Sequence, residues 1–170
     1  LDATHVGFLI AAVAGLGAVA MIAAGWVSDR RGERHLHLVF FLLLQACTYV
    51  VMGLATAPVL FIAAYALSFA VQMSIQALFW LIPGDVLQGK SAAAGLAAVG
   101  SIGMVGAFAG PYAWGVALDH TGSYQAGLLG LFVPYVMAAL IIGVLRLNLK
   151  AKDAGVSAQL IDARIVVAKR

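Results

Sequence analysis

The sequence predicts an all-α membrane protein with five transmembrane helices, and three observations predict it. Of its 170 residues 64% are apolar and 10% charged, with a mean hydropathy of +1.02. A soluble domain carries roughly 25% charged residues, so a soluble fold of this length would lack polar surface. Apolar stretches of about 20 residues or more recur along the chain, each long enough at 1.5 Å per residue to cross the ~30 Å hydrocarbon layer. None shows the strict alternation of a barrel strand, and a helix satisfies its own backbone in lipid.

Taken in order, the first span covers residues 5–27, where His5 to Val27 contains no Lys, Arg, Asp or Glu. The second covers 38–57, and Pro58 separates it from the third, 59–82. Pro83-Gly84 is expected to end that span. The fourth covers 92–118, and Asp119-His120-Thr121-Gly122-Ser123 reads as a turn before the fifth, 124–147. Residues 1–147 thus form a transmembrane domain. Residues 148–170 mix Lys, Asp, Gln and Arg with Val156, Leu160, Ile161, Ile165 and Val166. They are expected as a tail, mobile by default or folded as a short surface helix.

Orientation follows from the basic residues. Arg30, Arg31 and Arg34 lie between the first two spans and Lys90 between the third and fourth; Arg146, Lys150, Lys152, Arg164, Lys169 and Arg170 lie at or beyond the end of the last. All ten fall on one side, which the positive-inside rule makes the cytoplasm. The N-terminus is then expected outside and the C-terminus in the cytoplasm of a cell membrane, with a bacterial inner membrane as the expected setting. The net charge of +3 reports this topology and contact with anionic lipid, and nucleic acid is not an expected partner. Leu1-Asp2 follows no basic n-region, so no signal peptide is read. An odd number of spans with an external start predicts further chain upstream.

The charged stretch Gly25-Trp26-Val27-Ser28-Asp29-Arg30-Arg31-Gly32-Glu33-Arg34 reads as a tight loop of about ten residues. It resembles the signature loop of major facilitator superfamily transporters, G-x-x-x-D-[RK]-x-G-[RK]-[RK], at Gly25, Asp29, Arg30, Gly32 and Arg34, while Glu33 stands where a basic residue is usual. Phe79-Trp80-Leu81-Ile82-Pro83, Ser91-Ala92-Ala93-Ala94-Gly95, Ser101-Ile102-Gly103, Gly106 to Tyr112, Gly115 and Asp119 to Tyr124 follow in an order similar to the anion:cation symporter family within that superfamily. That group includes tartrate, hexarate, phthalate and hydroxyphenylacetate permeases; Gly100 and Met104 depart from it, standing where Asn is common.

The resemblance implies spans eight to twelve, most of the C-terminal six-helix half of a twelve-helix transporter whose N-terminal half is a missing partner. It also implies cation-coupled transport (H+ or Na+) of a small organic anion, a carboxylate, by alternating access. The coupling and substrate-charge residues would lie in the missing part, because residues 5–147 carry no charge away from the span ends. In the family reading the loop is a latch. Asp29 meets the positive end of a helix from the other half, and Arg30 and Arg34 pair across the seam in one conformation only. The plainer alternative is a turn that simply needs Gly and charge.

Helix faces can be read without the family. On the third span Tyr65, Ser68, Gln72, Gln76 and Phe79 fall within an arc of roughly 80°. Unpaired amides are costly in lipid, so this stripe either lines a substrate cavity, the favoured reading, or bonds neighbouring helices together. The fourth span presents Gly95, Gly103, Gly106 and Gly110 on one face, followed by Pro111. Close helix packing is favoured there over a hinge. A comparable small face on the first span comprises Ala11, Ala14, Gly15 and Ala18. Bulky runs at Val39 to Leu44 and Leu128 to Val133 are expected to face lipid, with the small-faced helices inside.

No catalytic triad, phosphate-cradling loop or paired intramembrane carboxylates is visible, so an enzyme is not expected and no cofactor is implied. His35 and His37 lack a Cys or carboxylate cluster, so no metal site is read. Cys47 is alone and forms no disulfide within the chain. Beside the transporter, a non-transporting sensor on the same scaffold or a small helical membrane protein remains open, and within transport so does an exporter of drugs or sugars.

Overall fold

The computed structural model describes the backbone of residues 2–86 and 89–168, helical apart from short turns. The helices are α1 (Ala3–Arg31), α2 (Arg34–Leu54), α3 (Pro58–Val86), α4 (Lys90–Thr121), α5 (Tyr124–Gly130) and α6 (Phe132–Ala168). Five stretches among the described residues are long and apolar enough to cross a membrane: Thr4–Arg31, Arg34–Leu54, Pro58–Pro83, Ala92–Thr121 and Tyr124–Ala151. The side chains of Lys90 and of every residue beyond Ala151 lie outside the described set, as do residues 169 and 170 altogether. Four of the basic positions in the tail fall there.

The turns are tighter than the sequence suggests. The expected ten-residue charged loop contracts to Gly32 and Glu33, because α1 continues through Asp29, Arg30 and Arg31. Gly32 ends α1 at φ 62°, and its N–H donates to the Ser28 carbonyl at 3.0 Å. A left-handed residue at this position satisfies a carbonyl that the helix end leaves open, and glycine adopts it without a Cβ clash. Gly122 repeats the device at φ 63°, donating to the Leu118 carbonyl at 2.8 Å. Asp119, His120 and Thr121 are therefore helical, and only Gly122 and Ser123 turn.

Prolines act in three ways. Pro58 is the first residue of α3, where its missing N–H costs nothing. Pro83 does not end α3 as expected but sits inside it, as Pro111 sits inside α4. Membrane helices tolerate this because neighbouring groups take up the freed carbonyl. Pro134 has the opposite outcome. It has no N–H for the Gly130 carbonyl four residues earlier, and there the fifth span divides into α5 and α6. Leu131 between them keeps helical angles, φ −67° and ψ −18°. Past the expected end of the fifth span at 147, the backbone of residues 148–168 continues α6.

Packing centres on α2, which lies against α3 and α6, while α1 lies on α3 and α4 touches α5 and, sparsely, α3. Leu38 and Leu42 of α2, Val71, Ile75 and Leu78 of α3 and Ala139 of α6 form the core. Among the described residues the expected arrangement is overturned at one bulky helix and kept at the other: α2 is innermost, whereas the bulky fifth span is as bare as expected, and the small-faced α4 and α1 are bare with it rather than inside. Bulky side chains generate dispersion contact wherever they meet a neighbour, whereas a small face contributes only when another helix is laid upon it. Gly103, Gly106 and Gly110 have nothing within 4 Å of an added Cβ.

Close helix approach occurs at other glycines. A Cβ on Gly17 would lie 2.9 Å from the Phe69 ring of α3, one on Gly53 3.0 Å from Leu129, and one on Gly127 3.0 Å from the Trp114 indole. On α1 the buried residues are Val13, Gly17, Ala24 and Ser28, spaced as one face that meets α3. Ala11, Ala14, Gly15 and Ala18 are exposed.

Candidate functional site

The signature turn holds its charges in an ordered network. Arg34 donates to Asp29 at 2.8 Å, within the motif itself. Arg30 lies one helical turn beyond Trp26 and stacks its guanidinium 3.9 Å from the indole centroid. Glu33, the residue that departs from the motif, reaches α6: Arg146 bonds it through Nη2 and, at 3.2 Å, through Nε, and Lys150 Nζ lies 3.2 Å from its other oxygen. These two cations, Arg146 first, hold the Glu33 carboxyl below its ordinary value of 4.5. His37 Nδ1 lies 2.8 Å from the Glu33 carbonyl. A carbonyl only accepts, so Nδ1 is the donor in this contact.

The five residues of the α3 stripe divide. Ser68 is buried and accepts a 2.7 Å hydrogen bond from Gln45 Nε2 of α2, and Gln72 Oε1 accepts one of 2.7 Å from the Tyr135 hydroxyl of α6. These two bond three helices together. Tyr65, Gln76 and Phe79 are exposed, and Gln76 makes no hydrogen bond among the described residues. The stripe therefore runs along the edge of the packed face, with one margin tied to neighbours and the other open.

Two polar side chains that tie helices together escaped the sequence reading although each left a signal. Gln45 is the lone amide of the second span, and a lone amide at lipid depth requires a partner. It is fully buried; Thr48 Oγ1 donates to its carbonyl at 2.7 Å, and its Oε1 has no partner among the described residues. Tyr135 sits one residue after Pro134, and its ring packs 5.4 Å from that of Tyr49.

Two cavities lie beside these residues. One, about 400 Å³, lies between α3, α4 and α6 and brings Phe79 of the stripe together with Gly103 of the glycine face, beside Ile82, Val99 and Ile142. Its lining is apolar, so it can take hydrocarbon but cannot orient an anion. The other, about 820 Å³, lies between α1 and α2 over Ser74 of α3, with Arg31 and His37 among its lining. Neither gathers the stripe around one chamber. No group of His, Cys, Asp and Glu among the described residues could hold a metal ion.

No family model and no solved structure matches the chain. Curated relatives do. A quinolone resistance transporter of Acinetobacter baumannii is 34% identical over 143 residues, covering 79% of this chain and 33% of that protein. A putative tartrate transporter of Agrobacterium vitis is 37% identical over 134 residues, 75% of this chain and 28% of that protein. The inner membrane transport protein RhmT of Escherichia coli strain K12 is 34% identical over 149 residues, 85% of this chain and 34% of that protein. The chain spans about a third of the length of the curated relatives it matches. With its signature turn, its five apolar helices and this similarity over most of its length, the chain belongs with these transporters in the major facilitator superfamily.

Proposed function

We propose that the protein carries a small organic anion, a carboxylate, across the membrane by alternating access coupled to a cation, and that the Tyr65–Gln76–Phe79 margin of α3 faces its substrate path. The observation that carries this is Gln76, an amide exposed on a strongly apolar helix with no partner among the described residues. Lipid is a poor environment for such a group; water, substrate or another part of the transporter is a good one. Similarity to two putative tartrate transporters favours the carboxylate class. In this reading the uncompensated substrate charge and the coupling cation, H+ or Na+, are met by residues outside this chain. Asp29 serves as the latch toward the other half, exchanging Arg34 for a helix N-terminus in one conformation.

In the full-length transporter, Gln76→Ala should raise the apparent KM for labelled tartrate severalfold with little change in protein amount, because one polar contact to the substrate is removed. An unchanged KM and substrate profile would take Gln76 out of the path. The quinolone resistance relative supports a second reading, export of a planar drug. Cells expressing the protein would then accumulate less quinolone and show no gain in tartrate uptake.

A further inference from the structure

We propose that the groove between α1 and α2 is a lipid site, holding one acyl chain of an anionic phospholipid with its phosphate on Arg31. The 820 Å³ groove is walled by small and apolar side chains, Ala20, Ala23 and Val27 of α1 and Phe40 and Leu43 of α2. Arg31 and His37 stand together at one end of it.

Its depth matches a leaflet. From Ala20 to Arg31 the helix rises ~16 Å, about half of the ~30 Å hydrocarbon layer. The apolar walls then lie at acyl-chain depth and the cation at head-group depth, on the membrane face that carries the basic residues. Basic pockets between helices at that level take anionic head groups.

Arg31 is the arginine of the turn left over for such a ligand. Arg34 is on Asp29, Arg30 is on Trp26, and Arg146 and Lys150 share Glu33, whereas Arg31 has no ion pair or hydrogen bond among the described residues. The two-residue turn of Gly32 and Glu33 holds the ends of α1 and α2 together at the charged mouth, and the apolar walls beyond it suit a hydrocarbon chain.

The site is independent of which solute is transported. The test uses the full-length protein in nanodiscs containing a trace of phosphatidylglycerol with a photoreactive acyl chain. Labelling should map to residues 20–31 and 36–43, and unlabelled phosphatidylglycerol should displace it about fivefold better than phosphatidylcholine, the preference one surface arginine confers. Arg31→Gln should bring that ratio to about one. Ala23→Phe, at an exposed wall position, should abolish labelling of both segments with Arg31 intact. If Ala23→Phe fails to fold, the displacement ratio of Arg31→Gln decides alone. Absence of labelling in these segments, equal displacement by the two lipids in the wild type, or an unchanged ratio in Arg31→Gln would overturn the proposal.

Discussion

Glu33 shows how one residue changes what a motif does. A basic side chain there would repel Arg146 and Lys150; the carboxylate instead ties the α1–α2 turn to α6. The two cations lower its pKa, so the stabilisation is fully present above the unfolded value near 4.5 and is lost as pH falls through the lower folded value. Thermal melting of the wild type should therefore fall more steeply than that of Glu33→Gln as pH drops below 4.5. Parallel pH profiles would remove the clamp. Sequence alone flagged Glu33 as a departure but could not supply its partners, because 113 positions separate it from Arg146. The Gln45–Ser68 bond was within reach, since a lone apolar-span amide demands a partner. Its double-mutant cycle with alanine should give a coupling of about 0.6–1.7 kcal/mol in detergent, and a coupling near zero would count against the bond.

Among whole elements, glycine and proline are informative only with their neighbours in view. The pattern at Gly103, Gly106 and Gly110 is a strong packing signature in sequence, yet it meets no neighbour among the described residues, while Gly127 has no pattern and carries the α4–α5 contact. Periodicity reports that a face is small, not what lies on it. Gly127→Leu should accordingly destabilise by about 1–3 kcal/mol through overpacking against the Trp114 indole. Gly143→Ala, with open space around it, should be neutral or gain up to ~1 kcal/mol from helix propensity. Equal melting temperatures for the two variants would contradict the close approach at Trp114. Pro134 was equally visible and equally ambiguous, since Pro83 and Pro111 lie inside helices while Pro134 coincides with a break.

At the scale of the molecule, composition and span length made the class and the number of spans legible, because lipid leaves a long apolar segment few other folds. The order of packing was not legible, since it depends on which faces find partners and this chain covers only a third of its relatives. Orientation rests on the basic residues. In a Cys47-free full-length protein, cysteine at Ser123 should react with an impermeant thiol reagent outside intact cells and cysteine at Arg30 should not; the reverse pattern would invert the topology.

The length of α6 gives the Glu33 clamp a mechanical meaning. Thirty-seven residues make one rod, and the stretch from Arg146 to Ala168 extends ~33 Å beyond the clamp. A pivot of about 10° at that point sweeps the far end through ~6 Å. A fluorophore at Ala168 would thus amplify, by leverage, a rearrangement of the signature turn too small to see at the turn itself. Cutting the clamp with Glu33→Gln should uncouple the pointer from the turn.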